Sequence, residues 1–176
     1  MSLPHAILTA LLEKPSSGLG LTRRFDKSIG YFWSATHQQI YRELAKLEQS
    51  GFIRPLPQQP SRGRKREYEV LPAGRAELTD WVGRTEDPRA VRDPLLLRMR
   101  AAAVVGTQDL GAELERHLHL HRDQLVKYLS IEERDFSSPD LSAESRLQHL
   151  VLRAGIDLER YWIAWITEAL REFPER

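Results

Sequence analysis

The 176-residue chain contains no cysteine. That removes a disulfide framework and a thiolate zinc site, and it fits a reducing interior. Long apolar runs are also missing: the longest, such as "YWIAWI" (161–166), are far too short to span a bilayer. The opening "LPHAILTALLE" lacks the basic region and small-residue cleavage site of a secretory leader. A soluble, cytoplasmic protein without a membrane partner is expected. There is no Gly-rich phosphate loop, nucleophile elbow or paired-carboxylate motif, so neither a catalytic residue nor a cofactor is assigned and an enzyme is not expected.

What is present is a charge asymmetry hidden under a net charge of +1. Residues 1–86 hold 13 Lys/Arg against 9 Asp/Glu, whereas residues 87–176 hold 13 against 16. A polyanionic partner would therefore meet the first half.

Apolar spacing divides the first half into short elements. Leu3, Ile7, Leu8 and Leu11 recur at helical spacing behind Ser2, and Pro15 stops that helix. "SSGLG" reads as a turn; Leu21, Phe25 and Ile29 then mark a second helix closed by Gly30, and "YFWSA" is a connector. Thr36 opens a third helix with Gln39 as capping-box partner, Ile40, Leu44 and Leu47 facing inward, and Gly51 at its end. "FIRPLPQQ" and "KREYEVL" read as two strands of a hairpin joined by "PSRGR", the prolines marking an edge strand. "PAGRAELTDWV" is a fourth helix.

That order describes a winged helix-turn-helix over 1–83. A hinge-like stretch (84–93) and a helical domain (94–176) follow, the latter with segments at about 94–105, 108–134 and 139–172. The fold class is thus mainly α with a small β-hairpin.

The outward face of the third helix is the first candidate site. At about 100° per residue, Gln38, Arg42, Ala45 and Gln49 lie opposite the apolar stripe, flanked by Gln39 and Lys46 on one side and Tyr41 on the other. A helix in a major groove leads with its N-terminal residues, here Thr36 and His37 onward, and glutamine can bond adenine in bidentate fashion. Arg42 can reach guanine or phosphate, and Tyr41 suits phosphate. A plain solvated face is the alternative. The hairpin tip adds Arg62, Arg64, Lys65 and Arg66, four basic residues in five positions. Protection of an edge strand explains one or two such charges better than four. Together, helix and wing favour double-stranded DNA as partner, the alternative being a winged-helix module for protein–protein assembly without operator binding.

In the last helix Leu147, Val151, Ala154, Leu158, Tyr161 and Trp165 recur at alternating spacings of four and three, and Trp162 widens the seam. Part of this seam is expected to close an intrachain hairpin and part to make a homodimer. "HLHLH" (117–121) places His117 and His121 four apart, a spacing that can chelate zinc. No third ligand completes an obvious set, His119 points elsewhere, and no metal is assigned.

The stretches "SSGLGLTRRFDKSIGYFWSATHQQIYRELAKLEQSGFI" and "GRKREYEVLPAGRAELTDWV" resemble the PadR family of transcriptional regulators over residues 3–83. Trp33, the Tyr41 helix, "LEQSGF", and Tyr68 with Gly74–Arg75 carry the likeness. "DPLLLRMR" and the final Trp-rich helix resemble the C-terminal region of the AphA-like branch more loosely. Leu19 and Gly20 replace the usual aromatic and acidic residues after "SG". The resemblance implies a homodimeric winged-helix DNA binder reading a pseudo-palindromic operator, often a repressor released by a small aromatic or hydrophobic effector. Phe32, Trp33, Trp162 and Trp165 are the candidate walls of an effector crevice.

Overall fold

The structure is a computed structural model that describes residues 3–25, 35–57, 66–88, 90–107 and 109–173. The chain forms two compact units, Met1–Asp87 and Pro88–Arg176, divided within the stretch read as a hinge. Among the described residues no helix is long and apolar enough to cross a membrane.

The first unit runs α1 (Leu3–Glu13), β1 (Ser16–Ser17), α2 (Gly18–Arg24), α3 (His37–Gln49), β2 (Ile53–Pro55), β3 (Glu67–Val70) and α4 (Pro72–Val82). Its core joins Ile7, Leu8 and Leu11 of α1 to Leu21 and Phe25 of α2. Ile40, Leu44 and Leu47 of α3 and Ile53 of β2 complete it. The apolar stripe read on the third helix is therefore the face that anchors it.

One element differs from the sequence reading. Ser16 and Ser17, taken as a turn, form an edge strand antiparallel to β3, with Ser16 opposite Tyr68 and Ser17 opposite Glu67. The sheet has three strands in the order β1-β3-β2 rather than a hairpin alone. Two serines carry no apolar alternation, so the pairing leaves no periodic trace. Ser17 also caps α2, its Oγ accepting the Gly20 N–H at 3.1 Å, and the helix begins at Gly18, before its first apolar stripe residue. The departure from the family pattern at Gly20 thus falls on a capped first turn. Ile29 and Gly30, expected at the end of this helix, lie outside the described residues.

Helix α4 is set against the sheet by a close backbone approach. The Phe52 carbonyl accepts the Leu71 N–H at 2.8 Å, and a Cβ on Gly74 would lie 2.4 Å from that same oxygen. His5 of α1 stacks on Trp81 of α4 at 4.4 Å, and its Nε2 lies 3.1 Å from Glu77. These contacts fix the helices behind the sheet.

The second unit contains α5 (Pro94–Val105), α6 (Leu110–Phe136), α7 (Ala143–Ala169) and a 3-10 turn, Leu170–Glu172. Asp93 caps α5 through the Leu95 and Leu96 N–H groups. Arg98 of α5 reaches Glu113 of α6 at 3.0 Å. Hydrogen bonds from Arg116 and then Arg98 hold the Glu113 carboxyl far below the usual range, at about 2. The long helices α6 and α7 pack antiparallel, as two cross-pairs show: His121 Nδ1 with Glu159 at 2.5 Å, and His149 Nε2 with Glu132 at 2.6 Å.

Candidate nucleic-acid interface

Why α3 presents a free face follows from its capping and its stripe. Thr36 accepts the Gln39 N–H at 3.2 Å, while Gln39 Oε1 accepts the Thr36 N–H at 2.8 Å, closing the capping box. With Ile40, Leu44 and Leu47 buried, Thr36, His37, Gln38, Gln39, Tyr41, Arg42, Ala45, Lys46 and Gln49 are all exposed. Among the described residues none hydrogen-bonds Gln38, Arg42 or Gln49. Three long polar side chains on one face thus remain available to a ligand.

The structure separates the two adjacent glutamines. Gln39 Oε1 already accepts from both the Thr36 backbone and its hydroxyl. While the cap is formed, both lone pairs of that oxygen are engaged within the chain. Gln38 has no such engagement. Lys46 is drawn sideways to Glu43 at 3.2 Å in an exposed pair of small worth.

Tyr41 ties α3 to the helix before it. A Cβ on Gly18 would fall 2.4 Å from its ring, so only glycine admits the ring over the start of α2. The tyrosine is still about half exposed (51%), which leaves an edge free on the flank of the face.

The tip residues Arg62, Arg64 and Lys65 lie outside the described residues, as do Phe32 and Trp33. Arg66 is described. Its guanidinium donates to Glu48 on the last turn of α3 and lies 5.4 Å from the centroid of the Tyr68 ring.

In the second unit the seam residues split into two sets. Leu152, Ile156 and Ile166, not the predicted a/d positions, are the buried face of α7. Leu147, Val151, Ala154, Leu158 and Tyr161 point away from the hairpin and are exposed, Leu158 at 54%. Trp162 and Trp165, read with the seam, are partly buried and pack on the intrachain cluster of Leu95, Leu110, Leu114, Leu118 and Ile166. Trp162 stacks on His121 at 5.7 Å and meets Trp165 edge-on at 5.6 Å. The spacing alone could not show that α7 has two apolar faces, because each is locally a valid helical stripe.

His121 also finds a carboxylate that linear spacing did not reveal, Glu159 on the facing helix, and His117 lies 3.4 Å from Glu113. Even so, no group of three or more His, Cys, Asp or Glu side chains among the described residues could hold a metal. A cavity of about 350 Å³ opens between α5 and α6, lined by Arg98, Ala102, Val105, Thr107, Asp109 and Leu110 among others. Neither Trp162 nor Trp165 lines it.

Residues 7–80 match the model of the transcriptional regulator PadR-like family, and residues 91–173 match that of the virulence activator α C-terminal region. A probable transcriptional regulator of Mycobacterium tuberculosis, Rv1176c, is 38% identical, the match covering the whole of both chains. The chain belongs to the PadR-like family of transcriptional regulators. The PadR-like architecture extends over the full length in solved structures. The Vibrio cholerae virulence activator AphA is 32% identical, covers 97% of each chain, and has a TM-score of 0.82. Bacillus subtilis PadR in complex with operator DNA is 29% identical, covers 99% of this chain and 100% of its own, and has a TM-score of 0.83. PadR has also been solved with p-coumaric acid. The winged helix followed by a C-terminal helical region is thus the family fold.

Proposed function

We propose that the protein is a homodimeric regulator that binds a pseudo-palindromic duplex operator, represses transcription, and is released by a small aromatic or hydrophobic effector. The observation that carries this reading is the exposed outward face of α3, where among the described residues none hydrogen-bonds the side chains of Gln38, Arg42 or Gln49. A related PadR is known with operator DNA and with p-coumaric acid, which supports both kinds of partner. Residues 1–83 form the reading domain in this proposal, 84–93 the hinge, and 94–176 the dimerisation domain.

Thr36, His37, Tyr41 and Lys46 sit around the reading face where phosphates would run, and Arg62, Arg64 and Lys65 extend the contact along the backbone. Dimerisation is supported by the exposed Leu147, Val151, Ala154, Leu158 and Tyr161 stripe, which the chain itself leaves uncovered. An effector can act only by binding more tightly to a dimer whose reading helices are wrongly spaced for the operator.

The test is footprinting on the protein's own upstream region at several salt concentrations, with and without phenolic acids, alongside tryptophan fluorescence. Protection of two half-sites about one helical turn apart, weakened by ligand, is expected. Ligand-induced quenching with unchanged protection would remove the effector from the mechanism. Protection at no sequence would overturn the operator.

Gln38→Ala is expected to weaken operator binding by about 1–3 kcal/mol, the usual worth of a bidentate base contact, with little change on random duplex. Gln39→Ala should act differently, by loosening the cap that opens α3 by about 1 kcal/mol, which a thermal melt would register. Equal losses on operator and random DNA for Gln38→Ala would assign that residue to positioning rather than reading.

A further inference from the structure

Arg66 counts among the wing cations in the sequence, yet the structure engages its guanidinium from two sides. Nη2 donates to Glu48 Oε1, and the Tyr68 ring lies beneath Cζ at 5.4 Å. The residue stands at the root of the hairpin and not at its tip. Its neighbour Glu67 opens β3 and pairs with Ser17, and the Glu67 carbonyl accepts the Leu56 N–H at 2.8 Å. The backbone at this point is therefore held in the sheet.

Glu48 belongs to the other half of the contact. It lies on the last turn of α3, about 100° round from the middle of the Gln38/Arg42/Gln49 face and on the Tyr41 flank. A carboxylate there gains nothing from DNA, since it repels phosphate. It does join the helix that reads bases to the root of the strand that carries the wing.

We propose that Glu48, Arg66 and Tyr68 form a latch that fixes the wing relative to the reading helix, with Glu48 and Arg66 as positioning residues and not DNA contacts. The proposal rests on the DNA-binding reading above. Operator binding needs helix and wing to engage their groove and backbone together, so it benefits from their being held in one arrangement beforehand. Random duplex makes no such demand, because phosphate contact tolerates many placements of the wing. The latch therefore contributes to the ratio of operator to random binding and leaves the count of phosphate contacts untouched.

The experiment compares wild type with Glu48→Gln, Arg66→Gln, and the charge-swapped pair Glu48→Arg with Arg66→Glu. Operator and random duplex are titrated with each across a salt series. The pair is partly exposed, so each single variant should lower operator affinity about two- to fivefold. Random-duplex affinity should not fall. The salt slope of Arg66→Gln should match wild type, and the charge swap should restore operator affinity.

A slope reduced by about 0.9 in Arg66→Gln, on either duplex, would make Arg66 an ordinary phosphate contact and overturn the latch. Unchanged operator affinity in both single variants would overturn it as well. Circular dichroism melts of each variant confirm folding, which these partly exposed positions leave intact. Wild type that binds no duplex would overturn the DNA-binding reading itself, a result distinct from either failure of the variants.

Discussion

Leu158→Asp is expected to yield a folded monomer whose operator affinity is about 10²–10⁴-fold below that of wild type, the range by which linked binding exceeds single-site binding. Leu158 is 54% exposed on α7, on the side opposite Leu152 and Ile156. A carboxylate there enters water in the isolated chain, so the hairpin keeps its own core. In a dimer the same carboxylate would be buried against a second apolar stripe without a partner, which costs several kcal/mol. Sedimentation would report the monomer and circular dichroism the retained helices. The matched control is Leu152→Asp, at a fully buried position, which should unfold the helical unit outright. Wild type that sediments as a monomer at micromolar concentration would remove the dimer from the proposal.

Gly74→Ala is expected to destabilise the N-terminal unit by about 1–3 kcal/mol, the usual cost of overpacking, despite adding a better helix former. The new methyl would meet the Phe52 carbonyl oxygen at 2.4 Å and Val70 Cγ1 at 2.9 Å. A flexible side chain could swing aside, but that oxygen is fixed by the Leu71 N–H at 2.8 Å. Helix α4 must therefore shift away from the strand junction, disturbing the His5–Trp81 stack behind it. A denaturant melt of the full chain would show an earlier transition for this unit. A melt matching wild type would mean that α4 moves without cost.

Much of this architecture is legible in the sequence. The stripe at Ile40, Leu44 and Leu47 and the Thr36/Gln39 box fixed both the type and the start of α3, since periodicity and capping are local properties. The fourth helix, read over "PAGRAELTDWV", likewise coincides with α4, Pro72–Val82. What stayed hidden depended on partners distant in sequence. Ser16 and Ser17 become a strand only because β3 arrives beside them about fifty residues later. His121 meets Glu159 and Arg66 meets Glu48 across separate elements. In α7 the ambiguity was of another kind: two stripes shared one helix, and only the position of α6 shows which one the chain covers.

The antiparallel α6–α7 hairpin also answers a problem of sliding. Two 27-residue helices packed by aliphatic side chains could shift past each other by one turn and exchange one set of apolar neighbours for another. Such a shift displaces facing atoms by about 5.4 Å. Pairs now 2.5 Å and 2.6 Å apart, His121 with Glu159 and His149 with Glu132, would then both be parted. They stand near the middle of the hairpin and toward its closed end, so no single sliding motion preserves either one. The two contacts work as a vernier, selecting one alignment from several that greasy packing alone would leave close in energy.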